Sequence, residues 1–290
     1  MLLKGPDLLC PLLRVLCQFR QRQFAVAGDI RQMFHQILIR EEDRQSQRFL
    51  WRFEPTAIPD VYVMDVATFG ATCSPCSAQY AKNLNAEEFS DTYPLAAKAI
   101  INNTYVDDFL ASTDTVNEAV KLAVEVRIVH GMAGFEIRNW QSNAKQILER
   151  VWGESPDKVK SFSIGKTTAA ERILGMMWIP DADVFEFGAH FREDLQVLLS
   201  GEVTPTKRQV LRVVMSLVDP LGIISTYTIH GKILIQDVWR SAIGWDDPLN
   251  ESDFLGWRRW IKLAPELARI KIPRCYFPNY NPRSYKSHFC

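Results

Sequence analysis

The stretch Tyr105-Val106-Asp107-Asp108 constrains the fold of this chain more than any other part of its sequence. Apolar and β-prone residues flank it at 100–104 and 109–111, which predicts a strand, a tight turn and a second strand. Two unit charges about 4 Å apart repel by roughly 4 kcal/mol near a protein surface. Two acids fixed at the tip of a hairpin therefore favour a bound cation, and few hard oxygen ligands suit Mg²⁺ or Mn²⁺. An Asp pair is also ordinary turn chemistry, so the pair alone leaves both interpretations open.

A third acid, Asp29, follows the short apolar stretch 24–28, which predicts a buried strand. An acid at the end of a strand lies where sheet proteins place catalytic groups. Farther along, Ser74 and Pro75 predict a helix that runs to about Ser90, with Ser74 as its N-cap. These elements and the Asp-Asp hairpin form an ordered set of motifs, which is more specific than any one of them.

In this order the motifs resemble the reverse transcriptase of LTR retrotransposons, most closely that of the BEL/Pao group. The resemblance extends over nearly the whole chain and is carried by residues 29–37, 69–75, 105–110, 134–143 and 174–178. It implies an α+β fold, in which a right-hand polymerase palm with a ferredoxin-like split βαβ core and an antiparallel sheet is joined to partial fingers and a helical thumb or connection region.

The same resemblance implies an RNA-directed DNA polymerase that uses two-metal nucleotidyl transfer to a primer 3′-hydroxyl. Asp29, Asp107 and Asp108 would be its catalytic residues and would also be the ligands of two Mg²⁺ (or Mn²⁺) ions. Its partners would be an RNA/DNA template-primer and a dNTP. A catalytically inactive remnant that at most binds nucleic acid is the alternative.

Five further residues would bind substrates by resemblance. The backbone carbonyl of Ile30 would be another metal ligand, and Phe34 would lie under the sugar of the incoming nucleotide and reject a 2′-hydroxyl. Phe69 and Gly70 would border that nucleotide, and Tyr105 would support the primer end. From the sequence alone, Phe34 is as easily a core residue on a short helix.

Met176, Met177 and Trp178 match the primer grip of the family, although an ordinary buried strand explains them equally well. The proton donor to pyrophosphate would be basic, and Arg138 and Lys145 are the candidates.

The local patterns predict several more elements outside these motifs. A helix is expected over 8–21, and the alternating stretches 47–53 and 60–67 predict a hairpin. Residues 134–140 and 173–178 each predict one strand.

Helices predominate in the last third of the sequence. Three helices are predicted after Asp194: one that begins at 204–206, one over 229–243 and one over 254–263. The Thr115–Glu118 capping box predicts a helix earlier in the chain.

The domain organisation expected from the resemblance has four parts. Residues 1–68 would hold partial fingers and the first palm strand, residues 69–188 the palm, and residues 189–268 the helical thumb or connection. Residues 269–290, which are rich in Gly, Pro and Asn, would be a linker toward a missing ribonuclease H domain.

Charge and cysteine usage add only broad expectations. The net charge is zero, but residues 202–290 hold 13 basic and 8 acidic residues, a balance of +5. Such a segment could follow a phosphate backbone, although scattered solvated charge fits as well. Six cysteines without a disulfide framework, no signal peptide and no long apolar run predict an intracellular chain, cytoplasmic in a virus-like particle, with no membrane partner. The lone Cys73/Cys76 pair fits packing at a helix start better than a metal site.

Two departures from the family are expected to matter. The Lys and Arg that clasp the triphosphate would precede Leu3, and 285–290 resembles the first strand of a ribonuclease H domain. The sequence therefore predicts a slice of a polyprotein whose protease, ribonuclease H and integrase lie elsewhere. It also predicts that residues 1–290 alone extend a primer poorly or not at all.

Overall fold

A computed structural model of the chain describes residues 3–152, 171–187 and 193–277. Two compact units divide the chain between them. The first comprises Met1–Ile164 with Cys275–Cys290, and the second comprises Gly165–Arg274. Each unit is described by itself below.

Unit 1 is built on a four-stranded sheet and a separate hairpin. Its strands are β1 (Phe24–Ile30), β2 (Arg48–Trp51), β3 (Asp60–Val63), β4 (Thr104–Tyr105), β5 (Asp108–Thr113) and β6 (Ile137–Ser142). The sheet has the order β4-β5-β1-β6, and each neighbouring pair is antiparallel. Strands β2 and β3 pair only with each other, as the predicted hairpin requires.

Five helices pack against this sheet, the last four of them on one face. They are α1 (Leu12–Phe19), α2 (Ser74–Glu88), α3 (Pro94–Asn102), α4 (Val116–Met132) and α5 (Lys145–Trp152). Residues from α2 to α5 form one apolar cluster with Val26 and Ile30 of β1 and with Phe109 and Ala111 of β5. Because side chains alternate along a strand, Asp29 and Asp108 point to the opposite face.

The local patterns gave some boundaries correctly and others wrongly. Helix α2 begins as predicted, but Cys73 occupies the N-cap position and Ser74 Oγ instead donates to Thr68 O over 2.6 Å. Helix α4 has the predicted capping box, in which Thr115 and Glu118 bond reciprocally. The predicted strand over 100–104 is wrong, because α3 continues to Asn102 and leaves two residues for β4.

Two other elements differ in extent from their patterns. The helix predicted over 8–21 covers only Leu12–Phe19, with Pro11 at the N-cap position. Strand β1 continues to Ile30, so Asp29 lies within the strand and not after its end.

Unit 2 contains a second antiparallel sheet. Its strands are β7 (Glu171–Ile173), β8 (Met176–Ile179), β9 (Val184–Glu186) and β10 (Lys271–Pro273), in the order β10-β9-β8-β7. The single strand predicted over 173–178 is wrong, because Leu174 and Gly175 have φ of 49° and 85°. Two consecutive left-handed residues make the tight turn of a hairpin between β7 and β8.

The rest of unit 2 is helical, as its sequence indicated. The helices are α6 (Glu193–Gln196), α7 (Lys207–Met215), α8 (Ser225–Arg240), α9 (Glu251–Ile261) and α10 (Ala264–Leu267). Thr206 and Gln209 form a capping box at α7, and Asn250 caps α9 by accepting from Asp253 N. The expected linker 269–290 contains β10, and its residues 278–290 lie outside the described part of the chain.

Across the described residues, none of the helices combines the length and the apolar character that crossing a bilayer requires. Cys10, Cys17, Cys73, Cys76 and Cys275 are free thiols.

Candidate functional site

The register of β1 against β5 brings two of the three predicted acids together. Asp29 pairs with Asp108, and Gly28 pairs with Phe109. Directly paired residues of antiparallel strands have Cα atoms about 4.5–5.5 Å apart. Because both acids lie on the sheet face opposite α2 to α5, the backbone alone makes them neighbours.

The third acid, Asp107, lies in the two-residue turn between β4 and β5. Its carbonyl accepts a 2.8 Å hydrogen bond from Ile30 N, which joins the turn to the end of β1. Val106 has a φ of 55°, a conformation that β-branched residues rarely adopt. The Val106 carbonyl accepts a 2.8 Å bond from the buried Gln79 Nε2 of α2. The α2 helix therefore holds the turn that presents Asp107.

The Asp29 carboxylate is bonded on the other side of β1. Asn139 Nδ2 donates to Oδ1 over 2.6 Å, and Arg138 Nε donates to Oδ2 over 3.0 Å. Both donors come from β6, whereas Asp108 belongs to β5. Both Asp29 oxygens thus accept hydrogen bonds from β6.

Burial and nearby charge make Asp107 and Asp108 hard to ionise. Burial is the main reason that the pKa of Asp108 rises to about 7, and the charges of Asp107 and Asp29 add to it. Burial also raises the pKa of Asp107, with a further increase from Asp29 and with opposing contributions from its own backbone hydrogen bond and Arg138. A cation at this place would relieve the repulsion that these shifts record.

A cavity of about 270 Å³ opens beside these acids. Six of the residues predicted from the sequence line it, namely Asp29, Ile30, Phe34, Phe69, Asp107 and Arg138. Gln32, Met33 and Val106 complete the lining. The rings of Phe34 and Phe69 meet edge to face with centroids 4.9 Å apart, so they form one aromatic wall.

Other predicted residues lie outside this lining. Tyr105 pairs with Asp108 across the hairpin, and Gly70 has a φ of 87° with no atom within 4 Å of where a Cβ would stand. Lys145, the other candidate proton donor, is exposed at the first turn of α5.

The residues matched to a primer grip belong to β8 of unit 2. Met176 and Trp178 are buried, and only Met177 is partly exposed. The Trp178 indole donates to Asp183 Oδ1 over 3.1 Å, so this side chain contributes to the core of its own unit.

The sequence did not identify Asn139 or Gln79 as site residues. It identified Arg138 as a candidate proton donor to pyrophosphate, whereas the structure bonds this residue to Asp29. Within the described ranges, no group of three or more His, Cys, Asp or Glu is arranged as a ready metal site. Carboxylates are the oxygen donors that Mg²⁺ and Mn²⁺ prefer, so the three acids fit such ions in kind. The β1–β5 register and the adjoining turn bring their backbones together.

Comparison with known proteins finds a family match to the last part of the chain and two solved structures with a similar fold. Residues 206–290 match the family model of the Pao retrotransposon-like RNaseH-like domain. A foamy viral protease-reverse transcriptase (dRH) in complex with ds DNA has a similar fold, with a TM-score of 0.52, 13% identity and 92% of this chain covered. A foamy viral protease-reverse transcriptase in complex with an RNA/DNA hybrid has a TM-score of 0.52 and 14% identity, with 90% of this chain covered. No curated protein matches the chain.

The chain spans only 39% and 30% of those two solved chains. It thus carries a Pao retrotransposon-related region and has a mixed α/β fold similar to part of a foamy viral protease-reverse transcriptase.

Proposed function

We propose that this chain is the polymerase part of a Pao-type retroelement polyprotein and catalyses RNA-directed DNA synthesis. One observation carries the proposal, namely the pairing of Asp29 with Asp108 on the sheet face opposite α2 to α5, with Asp107 in the adjoining turn. Three acids from separate parts of the chain meet there beside a cavity that an aromatic wall encloses. The fold shared with the foamy viral structures supports the same assignment.

In this proposal Asp29, Asp107 and Asp108 hold two Mg²⁺ or Mn²⁺ ions. Such ions, when bound, lower the pKa of a primer 3′-hydroxyl and offset the charge on departing pyrophosphate. The contribution of the chain is to fix the acids through the β1–β5 register and through the bond from Gln79 to the turn.

The cavity is proposed to receive the incoming dNTP. Phe34 and Phe69 would border its sugar and base, because aromatic faces exclude water and pack against both. The backbone of Ile30 is tied to the Asp107 carbonyl, which keeps the floor of the cavity at a fixed distance from the acids. Tyr105 is paired with Asp108, in a position to support the primer end.

The nucleic-acid partner proposed is an RNA/DNA template-primer. Support comes from the two foamy viral structures, whose complexes contain ds DNA and an RNA/DNA hybrid. Residues 1–68 are proposed as fingers and first palm strand, and 69–188 as palm. The helices of 189–268 are proposed as thumb or connection, ahead of the linker 269–290 toward ribonuclease H. The family model that matches 206–290 is RNaseH-like and overlaps these helices, so it supports a retroelement polyprotein and leaves the thumb or connection a proposal.

Single-nucleotide incorporation tests the proposal directly. The protein would be mixed with a labelled DNA primer on an RNA template, with the complementary dNTP and Mg²⁺ or Mn²⁺. We expect one added nucleotide from the wild type and none from Asp107→Asn. Equal incorporation by both would overturn the site, and template-primer binding without any incorporation would overturn the activity.

A remnant that binds nucleic acid without catalysis is the second candidate. The bonds from Arg138 and Asn139 to both Asp29 oxygens favour it, since they leave the acids without a ready metal arrangement. Fluorescence anisotropy with an RNA/DNA hybrid distinguishes the two candidates. The remnant would bind the hybrid as tightly in EDTA as in Mn²⁺ and would incorporate nothing in either.

A further inference from the structure

A bulge in β6 determines which side chains reach Asp29. Ala27 pairs with Gln141, whereas Asp29, two residues on, pairs with Arg138. Strand β6 therefore uses three residues where β1 uses two, and Asn139 has the left-handed φ of 53° that a bulge can require. Because a bulge interrupts the alternation of side chains, Arg138 and Asn139 are adjacent in sequence and still face the same carboxylate.

The two contacts differ in chemistry. Arg138 brings a full positive charge to Asp29 Oδ2, and its side chain is 46% exposed. Asn139 brings a neutral amide to Oδ1 at the shorter distance of 2.6 Å. A neutral donor can remain beside a carboxylate that binds a divalent cation, and such outer donors orient metal ligands. A guanidinium in the same place repels that cation.

We propose that Asn139 is the positioning residue for Asp29 and that Arg138 is an internal countercharge, which leaves Asp29 when a divalent cation binds. This inference rests on the proposed function, since it concerns the ions assigned to the same acids. The exposure of Arg138 gives its guanidinium solvent to move into. The Asn139 amide stays on Oδ1 and turns the carboxylate so that Oδ2 becomes the ligand.

Mn²⁺ binding, followed by electron paramagnetic resonance of the free ion, tests both roles without relying on catalysis. We expect Arg138→Gln to tighten Mn²⁺ binding about tenfold, because one repelling charge is removed. We expect Asn139→Ala to weaken binding about tenfold, as loss of an outer donor commonly does. Thermal melts without metal would show that both variants fold, so that a change in Mn²⁺ affinity is not a general loss of structure.

Arg31→Gln is the matched control. Arg31 directly follows β1, and its guanidinium bonds to Glu136, the residue before β6, at 3.0 Å from Nη1. The variant removes the same charge from a neighbouring position, and we expect a change in Mn²⁺ affinity below about twofold, since a surface pair contributes little.

Each outcome bears on one claim. Equal Mn²⁺ affinity in Arg138→Gln and Arg31→Gln would overturn the countercharge, and leave the proposed metal site standing if the wild type binds. Unchanged affinity in Asn139→Ala would overturn the positioning role. Binding by Arg138→Gln alone, with none by the wild type, would support the inference. No binding by either protein would overturn the inference and the proposed metal site together.

Discussion

Asp29 and Asp108 lie directly opposite each other where the last paired residues of β1 and β5 meet. The alternation of side chains puts both on the face away from the apolar cluster, so neither can turn into the core. The hydrogen bonds of the ladder hold the two backbones together, and the acids must tolerate each other. The raised pKa of Asp108, about 7, reflects this burial and repulsion.

We predict that Asp108→Asn stabilises the metal-free protein above neutral pH. The folded pKa of about 7 exceeds the ordinary value of 3.8, so the folded state binds more protons between them. The free energy of unfolding of the wild type should therefore fall as pH rises from 4 to 7. At pH 8 the variant should be more stable on the order of 2 kcal/mol, allowing for screening.

Urea unfolding in EDTA at pH 5 and pH 8 measures this difference. Asp91→Asn, at an exposed position after α2, is the control; because it keeps Asp108, its free energy of unfolding should fall from pH 5 to pH 8 as that of the wild type does. A wild type and an Asp108→Asn variant that change in parallel between pH 5 and pH 8 would contradict the prediction.

The second prediction concerns the close approach of β1 to β6 beside the site. A Cβ on Gly28 would stand 2.7 Å from Ile137 Cγ2 and 3.2 Å from a ring carbon of Trp140. Gly28→Ala should therefore lower the free energy of unfolding by about 1–3 kcal/mol, since a packed core resists an added methyl group. Gly131→Ala is the counterpart, because no atom lies within 4 Å of its Cβ position in α4.

Gly131→Ala should stabilise the protein by about 0.5–1 kcal/mol, as alanine does within a helix. Denaturant titrations of both variants check the pair. If Gly28→Ala and Gly131→Ala lowered the free energy of unfolding equally, chain flexibility and not the contact with Ile137 would determine the result at Gly28.

The parts of the site that sequence could predict are those fixed by short-range chemistry. The Asp-Asp turn, the strand before Asp29 and the capping box at Thr115 each follow from residues within a few positions of one another. Helix α2 followed from Pro75, although the hydrogen bond of Ser74 to Thr68 displaced its expected cap.

Features that depend on strand register could not be predicted. The bulge at Asn139 exists only relative to β1, and nothing within residues 134–143 tells which carboxylate Arg138 will meet. Ile100 has high strand propensity but lies in α3, where burial against the cluster outweighs that propensity. In unit 2, the full burial of Arg274 against Asp183 likewise depends on residues far apart in the sequence and could not be predicted.

The third prediction tests that buried pair. Arg274 donates from Nε and Nη2 to the two Asp183 oxygens over 2.6 and 2.8 Å. Removing one partner of a buried pair leaves an uncompensated charge, so Arg274→Met should lower the free energy of unfolding by about 3–5 kcal/mol. The double variant with Asp183→Asn should recover part of that loss. Circular dichroism melts of the two variants would contradict this if the double variant were the less stable.

The fourth prediction concerns Lys82, a buried base in α2 whose side chain is 1% exposed and donates to Ile100 O over 2.9 Å. Burial lowers its pKa from 10.5 to about 8, so between these values the unfolded chain binds more protons than the folded one. The free energy of unfolding should therefore rise with pH over this window, by about 3 kcal/mol in all.

Lys82→Met should lack the rise, whereas Lys98→Met, at an exposed position of α3, should keep it. Urea titrations from pH 8 to pH 9.5 measure the difference between the two variants, in which effects of other groups cancel. Parallel curves for the two would show that Lys82 is not the group responsible.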